Sequence, residues 1–184
     1  MIKTLLSKQY SIFSLSRVKT HCNIGEDDNS FDDIIRLKMY AAVDYCENYM
    51  NASIAPGNYV VESDNYLVPQ PFIYYRLYDV NLTISAITVG DYNGNQTVVP
   101  ATQYRIEKYS NFTQIFFNPN ITAYQLKIYY TAGNTSLSSV PYAVQEAIHV
   151  MTALLFQGDR QGLLPNNVVQ TGLVERLLSP YKNL

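Results

Sequence analysis

The chain has 184 residues and a formal net charge of −2, which allows one domain and leaves no basic excess to make nucleic-acid binding its main task. No stretch approaches the ~20 apolar residues of a membrane-spanning helix. Two cysteines without a CxxC pair, and two histidines, leave little material for redox or metal chemistry.

The N-terminus, MIKTLLSKQYSIFSL, has apolar runs broken by Ser7, Lys8 and Gln9 and no small-residue cleavage site after them. It reads as part of the mature chain rather than as a signal peptide. The first predicted helix covers 14–22, with Ser14 as cap and Leu15, Val18 and Cys22 on one face. An acidic turn follows over 23–30. Glu26, Asp27 and Asp28 do not follow the alternating ligands and distal Glu of an EF-hand, so the turn reads as a solvated loop.

Residues 30–50 form the second predicted helix, capped by Ser30, with Asp32 and Asp33 at the end that the helix dipole makes favourable for anions. Phe31, Ile34, Ile35, Ala42, Tyr45, Cys46 and Tyr49 make its apolar stripe, and Arg36, Tyr40, Asp44, Glu47 and Asn51 its opposite face. Lys38 interrupts the edge of the stripe and snorkels.

From Pro56 the pattern changes to short aromatic and β-branched runs separated by Pro, Gly and Asn. Strands are predicted over 59–62, 72–78, 82–89, 96–99, 103–107, 114–117 and 125–131. Asn93-Gly94 signals a type I′ hairpin, and Asn118-Pro119-Asn120 a further turn. In the last strand Leu126, Ile128 and Tyr130 alternate with Lys127 and Tyr129, which predicts one buried face. Ala132-Gly133-Asn134 ends that strand, because Gly and Asn tolerate positive φ.

The third helix is predicted over 140–157. Ser138 and Ser139 offer capping oxygens and Pro141 suits the first turn. Val144, Ala147, Ile148, Met151, Leu154 and Leu155 form its stripe, with Gln145, His149 and Thr152 on another side, and Gly158 as C-cap. Pro165 breaks the loop over 161–171. A short helix over 172–178 is stopped by Ser179-Pro180.

The fold class expected is therefore α+β: a small helical bundle with an antiparallel β-subdomain over 56–131 inserted into a single domain of 1–184. Cys22 and Cys46 read as buried thiols. Asn-x-Ser/Thr sequons at Asn51, Asn81, Asn95, Asn111, Asn120 and Asn134 follow from a chain rich in Asn, Thr and Ser. Seventeen tyrosines suit both strands and interfaces.

Catalytic chemistry is not legible. Glu146 and His149 have the Glu-x-x-His spacing of a di-iron helix, but that site needs a second copy. They read as a surface pair. His21 beside Cys22 lacks the further ligands of a zinc site. GxSxG, HExxH and phosphate-cradling Gly-rich loops do not occur. No cofactor and no metal is expected, and no enzymatic activity.

The order of elements carries a resemblance. Ala41-Ala42, Glu47 and Tyr49 lie in the second helix. Tyr130, Thr131, Ala132 and Gly133 end a strand. Val140-Pro141, Ala147, Ile148 and Arg160 surround the third helix, and Val174, Leu177, Leu178, Pro180, Tyr181 and Lys182 close the chain. In this order, over 14–182, the sequence resembles the tailed-phage head–tail connectors, the head-completion adaptors beneath the portal. It departs from them in Phe156-Gln157-Gly158-Asp159-Arg160, where the family has aromatic-Glu-Asn-Arg, and in a longer Tyr- and Asn-rich insertion.

The resemblance implies a structural virion protein at the head–tail junction, assembled in the host cytoplasm. Twelve copies would form a ring that contacts the portal and downstream tail or neck proteins and extends the channel for DNA ejection. Leu173, Val174, Leu177, Leu178 and Tyr181 are then docking candidates for the portal or a neighbouring subunit. Tyr130, Gly133, Pro141 and Arg160 are family-motif positions, and Glu26, Asp27 and Asp28 are channel-lining candidates. Two other readings stand beside it: a tail-completion or terminator protein, and a secreted β-rich binding module suggested by the sequons.

Overall fold

The computed structural model describes residues 2–63, 69–79, 81–109, 112–118, 121–161 and 168–182; for 159–161 and 168–170 it describes the backbone alone. Pro119, Pro165 and the sequons at Asn111 and Asn120 lie outside the described residues. The chain divides into two compact units, Met1–Gln9 with Pro56–Gly133, and Tyr10–Ala55 with Asn134–Leu184. The α+β class expected from the sequence is what the structure shows.

The first unit is built on β1 (Ile2–Lys8), β2 (Gly57–Glu62), β3 (Gln70–Pro71), β4 (Tyr74–Leu77), β5 (Thr83–Gly90), β6 (Gln96–Val98), β7 (Tyr104–Lys108), β8 (Thr113–Phe117), β9 (Thr122–Ala123) and β10 (Gln125–Ala132). One sheet has the order β1-β2-β10-β5-β6, a second β4-β8-β7, and β3 pairs with β9. All the pairings are antiparallel. The alternation predicted in β10 is met: Leu126, Ile128 and Tyr130 are buried against Ile87, Ile115 and Phe117.

Two details differ from expectation. The N-terminus forms edge strand β1, paired from Ile2↔Glu62 to Lys8↔Gly57 with an irregularity between Leu5 and Ser7. Its side chains are exposed almost throughout, so the strand rests on backbone pairing and leaves no hydrophobic alternation to read. The β5–β6 connection is not a two-residue type I′ turn. That turn needs positive φ at both central residues, and here Gly94 has it (φ 83°) while Asn93 does not. Instead Asp91 Oδ1 accepts from the backbone N–H of Asn93 (2.8 Å) and Asn95 (2.9 Å), which closes a longer loop.

The second unit is a bundle of α1 (Leu15–His21), α2 (Asp32–Met50), α3 (Tyr142–Gln161) and α4 (Val168–Leu178). Helix α3 packs on α2, α4 and α1. This explains the misjudged face of α3: Gln145, His149 and Thr152 are buried with Val144, Ala147, Ile148 and Met151. Thr152 satisfies its hydroxyl on the Ile148 carbonyl (2.7 Å), and Gln145 donates Nε2–H to the Leu137 and Val140 carbonyls.

On α2 the buried positions are Ile35, Met39, Ala42, Val43, Cys46 and Met50, so the stripe is rotated and Ile34 stays 46% exposed. Phe31, not Ser30, is the N-cap of α2 and makes no side-chain cap. Pro141 sits just before α3, its carbonyl accepting from Val144 and Gln145. Helix α3 runs past Gly158, and α4 starts at Val168, four residues before the expected start. Continuing a helix over a glycine costs only about 1 kcal/mol against alanine, which packing on three helices overrides.

Candidate functional site

Two features named from the sequence are built within the helical unit: the acidic turn and the closing segment. The turn between α1 and α2 folds around Lys19, which is 3% exposed although charged. Its ammonium donates to the Glu26 carbonyl (3.1 Å) and Asn29 Oδ1 (3.0 Å) and lies 2.7 Å from Asp32 Oδ1. A buried ammonium needs such partners, because desolvation alone would cost several kcal/mol. Ser16 donates to Glu26 Oε1 (2.6 Å), and Asp28 Oδ1 accepts from the Ser30 N–H (3.0 Å). Glu26, Asp27 and Asp28 are all exposed. The turn is therefore a fixed, outward-facing acidic surface pinned from below by a lysine. Sequence reading missed Lys19, since a lysine in an amphipathic helix normally marks its wet face.

The closing segment divides the docking candidates. Val174 and Leu178 are fully buried in the chain's own bundle, and Leu177 packs against it. Their place on α4 turns them into the bundle, where α4 packs on α3 and α2. Leu173 (50% exposed) and Tyr181 (38%) remain open. Tyr45 of α2 donates to Glu175 Oε1 (3.2 Å), and Lys182 lies 5.1 Å from the Tyr49 ring centroid. The segment is a packed element of the bundle whose outer edge alone is free.

The family-motif positions have structural explanations. Tyr130 is buried and donates its hydroxyl to Asp79 Oδ2 (2.7 Å); Lys3 bridges both oxygens of the same carboxylate (2.8 Å each) and lies over the Tyr59 ring. Burial, then the Asp79 charge, pushes the Tyr130 phenol above its ordinary pKa. Gly133 takes φ 102° at the turn out of β10, a region costly for other residues. Pro141 supplies the carbonyl that opens α3. Arg160 falls in the last turn of α3, its side chain outside the described residues. Glu47, also part of the resemblance, accepts from the N–H groups of Ile54 (2.7 Å) and Ala55 (2.9 Å). It thereby closes the loop that follows α2.

Exposed apolar side chains lie on several elements, among them Ile2, Leu5 and Leu6 on β1, Ile34 and Leu37 on α2, Val98 on β6, Ile106 on β7, and Tyr142 at the start of α3. No helix among the described residues is long and apolar enough to cross a membrane.

Comparison with known proteins gives a consistent result. Residues 12–94 match the family described as "Phage gp6-like head-tail connector protein", which spans α1 and α2 and continues into β5 and the loop after it. Three solved structures share the fold along the whole chain, each at 16% identity and covering 100% of this chain and 96% of the other. One is from the neck of an empty gene transfer agent (GTA) particle treated with C6 symmetry (TM-score 0.77). Another is from the virion of a native GTA particle (0.75), and a third from the neck of a native GTA particle treated with C12 symmetry (0.67). No curated protein matches the chain. The resemblance to head–tail connectors read from the sequence agrees with this family match over residues 12–94.

Proposed function

From a chain whose residues 12–94 match the gp6-like head–tail connectors, we propose a structural adaptor of a phage-like neck, assembled as a ring between portal and tail and extending the DNA channel. The observation that carries this reading is the agreement of two comparisons. The family match covers the first helices and strands, and the likeness to neck and virion chains covers the whole length. The C6 and C12 necks support assembly into a ring of twelve copies at the head–tail junction. The role is structural and non-enzymatic.

A ring closes through a heterologous interface, in which one face of a subunit meets a different face of its neighbour. The exposed apolar side chains on β1, on α2 and at Leu173 and Tyr181 supply unlike surfaces of that kind. In this reading Leu173 and Tyr181 take part in docking to the portal or a neighbour, while Val174 and Leu178 hold the segment in place. Glu26, Asp27 and Asp28 face the channel, where fixed negative charge avoids binding the phosphates of passing DNA.

Electron microscopy of the purified chain mixed with the portal protein of the same particle tests the proposal. Twelvefold rings seated on the portal are expected. A chain that stays monomeric and leaves the portal bare sinks it. A ring that caps an isolated tail instead favours the tail-terminator reading.

A further inference from the structure

One cluster of side chains in the helical unit belongs neither to the acidic turn nor to the closing segment. His21 ends α1, while Glu146 and His149 stand one turn apart on α3. Packing of α1 on α3 brings one ligand atom from each within 4.8 Å of the others. His21 Nε2 is 3.1 Å from Glu146 Oε1, His149 Nδ1 is 3.9 Å from Glu146 Oε2, and the imidazole centroids are 5.0 Å apart. The three open on a cavity of ≈ 550 Å³ whose wall also includes Arg17, Thr20 and Tyr142. Glu146 and His149 are thus not a surface pair, because His149 is 6% exposed.

The hydrogen bonding of the cluster leaves a place for a cation. His149 makes no hydrogen bond through its ring among the described residues; its nearest polar partner is Glu146 Oε2, too far to accept one. His21 Nδ1 lies 3.1 Å from the Arg17 carbonyl, which can only accept, so Nδ1 carries the hydrogen. Its Nε2 then faces a carboxylate oxygen, and two acceptors at 3.1 Å require a proton or a metal between them. Donation of the second ring N–H to a backbone carbonyl is also how metal-bound histidines are commonly oriented.

We propose that His21, Glu146 and His149 form a binding site for a divalent transition-metal cation of the zinc class, with water in the open position, which ties α1 to α3. Two imidazoles and one carboxylate are the donor set of known zinc sites, whereas calcium and magnesium take oxygen ligands almost throughout. Tetrahedral bonds of about 2.0–2.1 Å separate donor atoms by about 3.3 Å, so the widest gap closes by roughly 1.5 Å. His21 and Glu146, with side chains 31% and 50% exposed, have room to shift toward the buried His149. Among the described residues of the cavity wall, Arg17 carries the lysine- or arginine-type positive charge.

The test uses the untagged full-length chain, stripped with a chelator and titrated with Zn²⁺ by calorimetry and with Co²⁺ by visible absorption. One cation per chain is expected, with a tetrahedral cobalt spectrum and a rise in Tm on zinc addition. His21→Gln and Glu146→Gln, both at accessible side chains, should each weaken binding by at least about tenfold. Glu26→Gln, in the acidic turn, should leave it unchanged. No binding by the wild-type chain overturns the proposal and leaves a proton between His21 and Glu146. Binding that survives in the His21→Gln/Glu146→Gln double variant also overturns it, since the metal then sits elsewhere.

Discussion

Glu47 shows how one side chain can determine where a helix hands over to a strand. Its carboxylate serves two successive N–H groups, Ile54 and Ala55, after Asn51 has turned the chain out of α2 with φ 53°. Asn134 adds a second tie, its N–H and Nδ2–H both reaching the Ile54 carbonyl. Glu47→Ala orphans two donors and should lower the unfolding free energy by about 1–3 kcal/mol, with Glu47→Gln losing less because an acceptor remains. Urea denaturation measures both; a loss under about 0.5 kcal/mol for the alanine variant would refute the role. Asn51 and Asn81 (φ 51°) are also sequons, and Asn134 is buried, so local conformation accounts for these asparagines.

Cys46 offers a second check at the same scale. Burial, then the Glu47 charge, pushes its thiol up to about 12 from 9.0. A raised pKa means that the folded state holds the proton longer than the unfolded one. The stabilising contribution is complete below the unfolded value of about 9 and is lost as pH rises toward the folded value. Alkylation of Cys46 at pH 8 should therefore track global unfolding, and its rate should fall in parallel with added stability. Rapid labelling of the native chain would show that the thiol is reachable and this account wrong.

At the scale of elements, α4 separates packing from docking. Leu178 is fully buried and Leu173 half-exposed on the same short helix. Leu178→Ala should cost about 2–5 kcal/mol of stability by leaving a cavity. Leu173→Ala should stay within about 0.5 kcal/mol of wild type in stability yet weaken ring or portal association in sedimentation experiments. If both variants fold and assemble as wild type, the closing segment has neither role. Edge strand β1 makes the complementary case. Its Lys3 and Lys8 place charge along the rim of the five-stranded sheet, a common defence of unpaired edges. Removing residues 2–8 uncovers the β2 edge and deletes the Lys3–Asp79 pair, so the truncated chain should aggregate at concentrations where the full chain stays dispersed. Light scattering reads this directly.

For the whole molecule, the acidic turn bears on the proposed ring. Asp27 is exposed, and its side chain supports nothing else among the described residues. Asp27→Lys should leave stability nearly unchanged. Repeated around a ring it adds cations facing phosphate, so DNA retention by assembled rings should rise and fall steeply with salt. Equal DNA binding by variant and wild-type rings across a salt series would place the turn away from the channel.

Much of the fold follows from local chemistry. The alternation of Leu126, Ile128 and Tyr130, the stripe of Val144, Ala147, Ile148 and Met151, and the turn residues between them each act over a few residues. Their arrangement in the chain is enough to specify strands, helices and the α+β class, and the order of motifs carried the resemblance to head–tail connectors. Other features depend on neighbours distant in sequence. Strand β1 exists because β2 offers an unpaired edge, not because of its own pattern. Helix α3 buries Gln145, His149 and Thr152 because three helices surround it. Lys19 is hidden because the acidic turn folds over it, and Val174 and Leu178 turn inward because α3 lies beside them. His21 meets Glu146 across 125 positions of sequence. Periodicity reports which faces of an element are apolar, but burial, ion pairing and ligand geometry depend on what the rest of the chain brings alongside, and only the tertiary structure decides that.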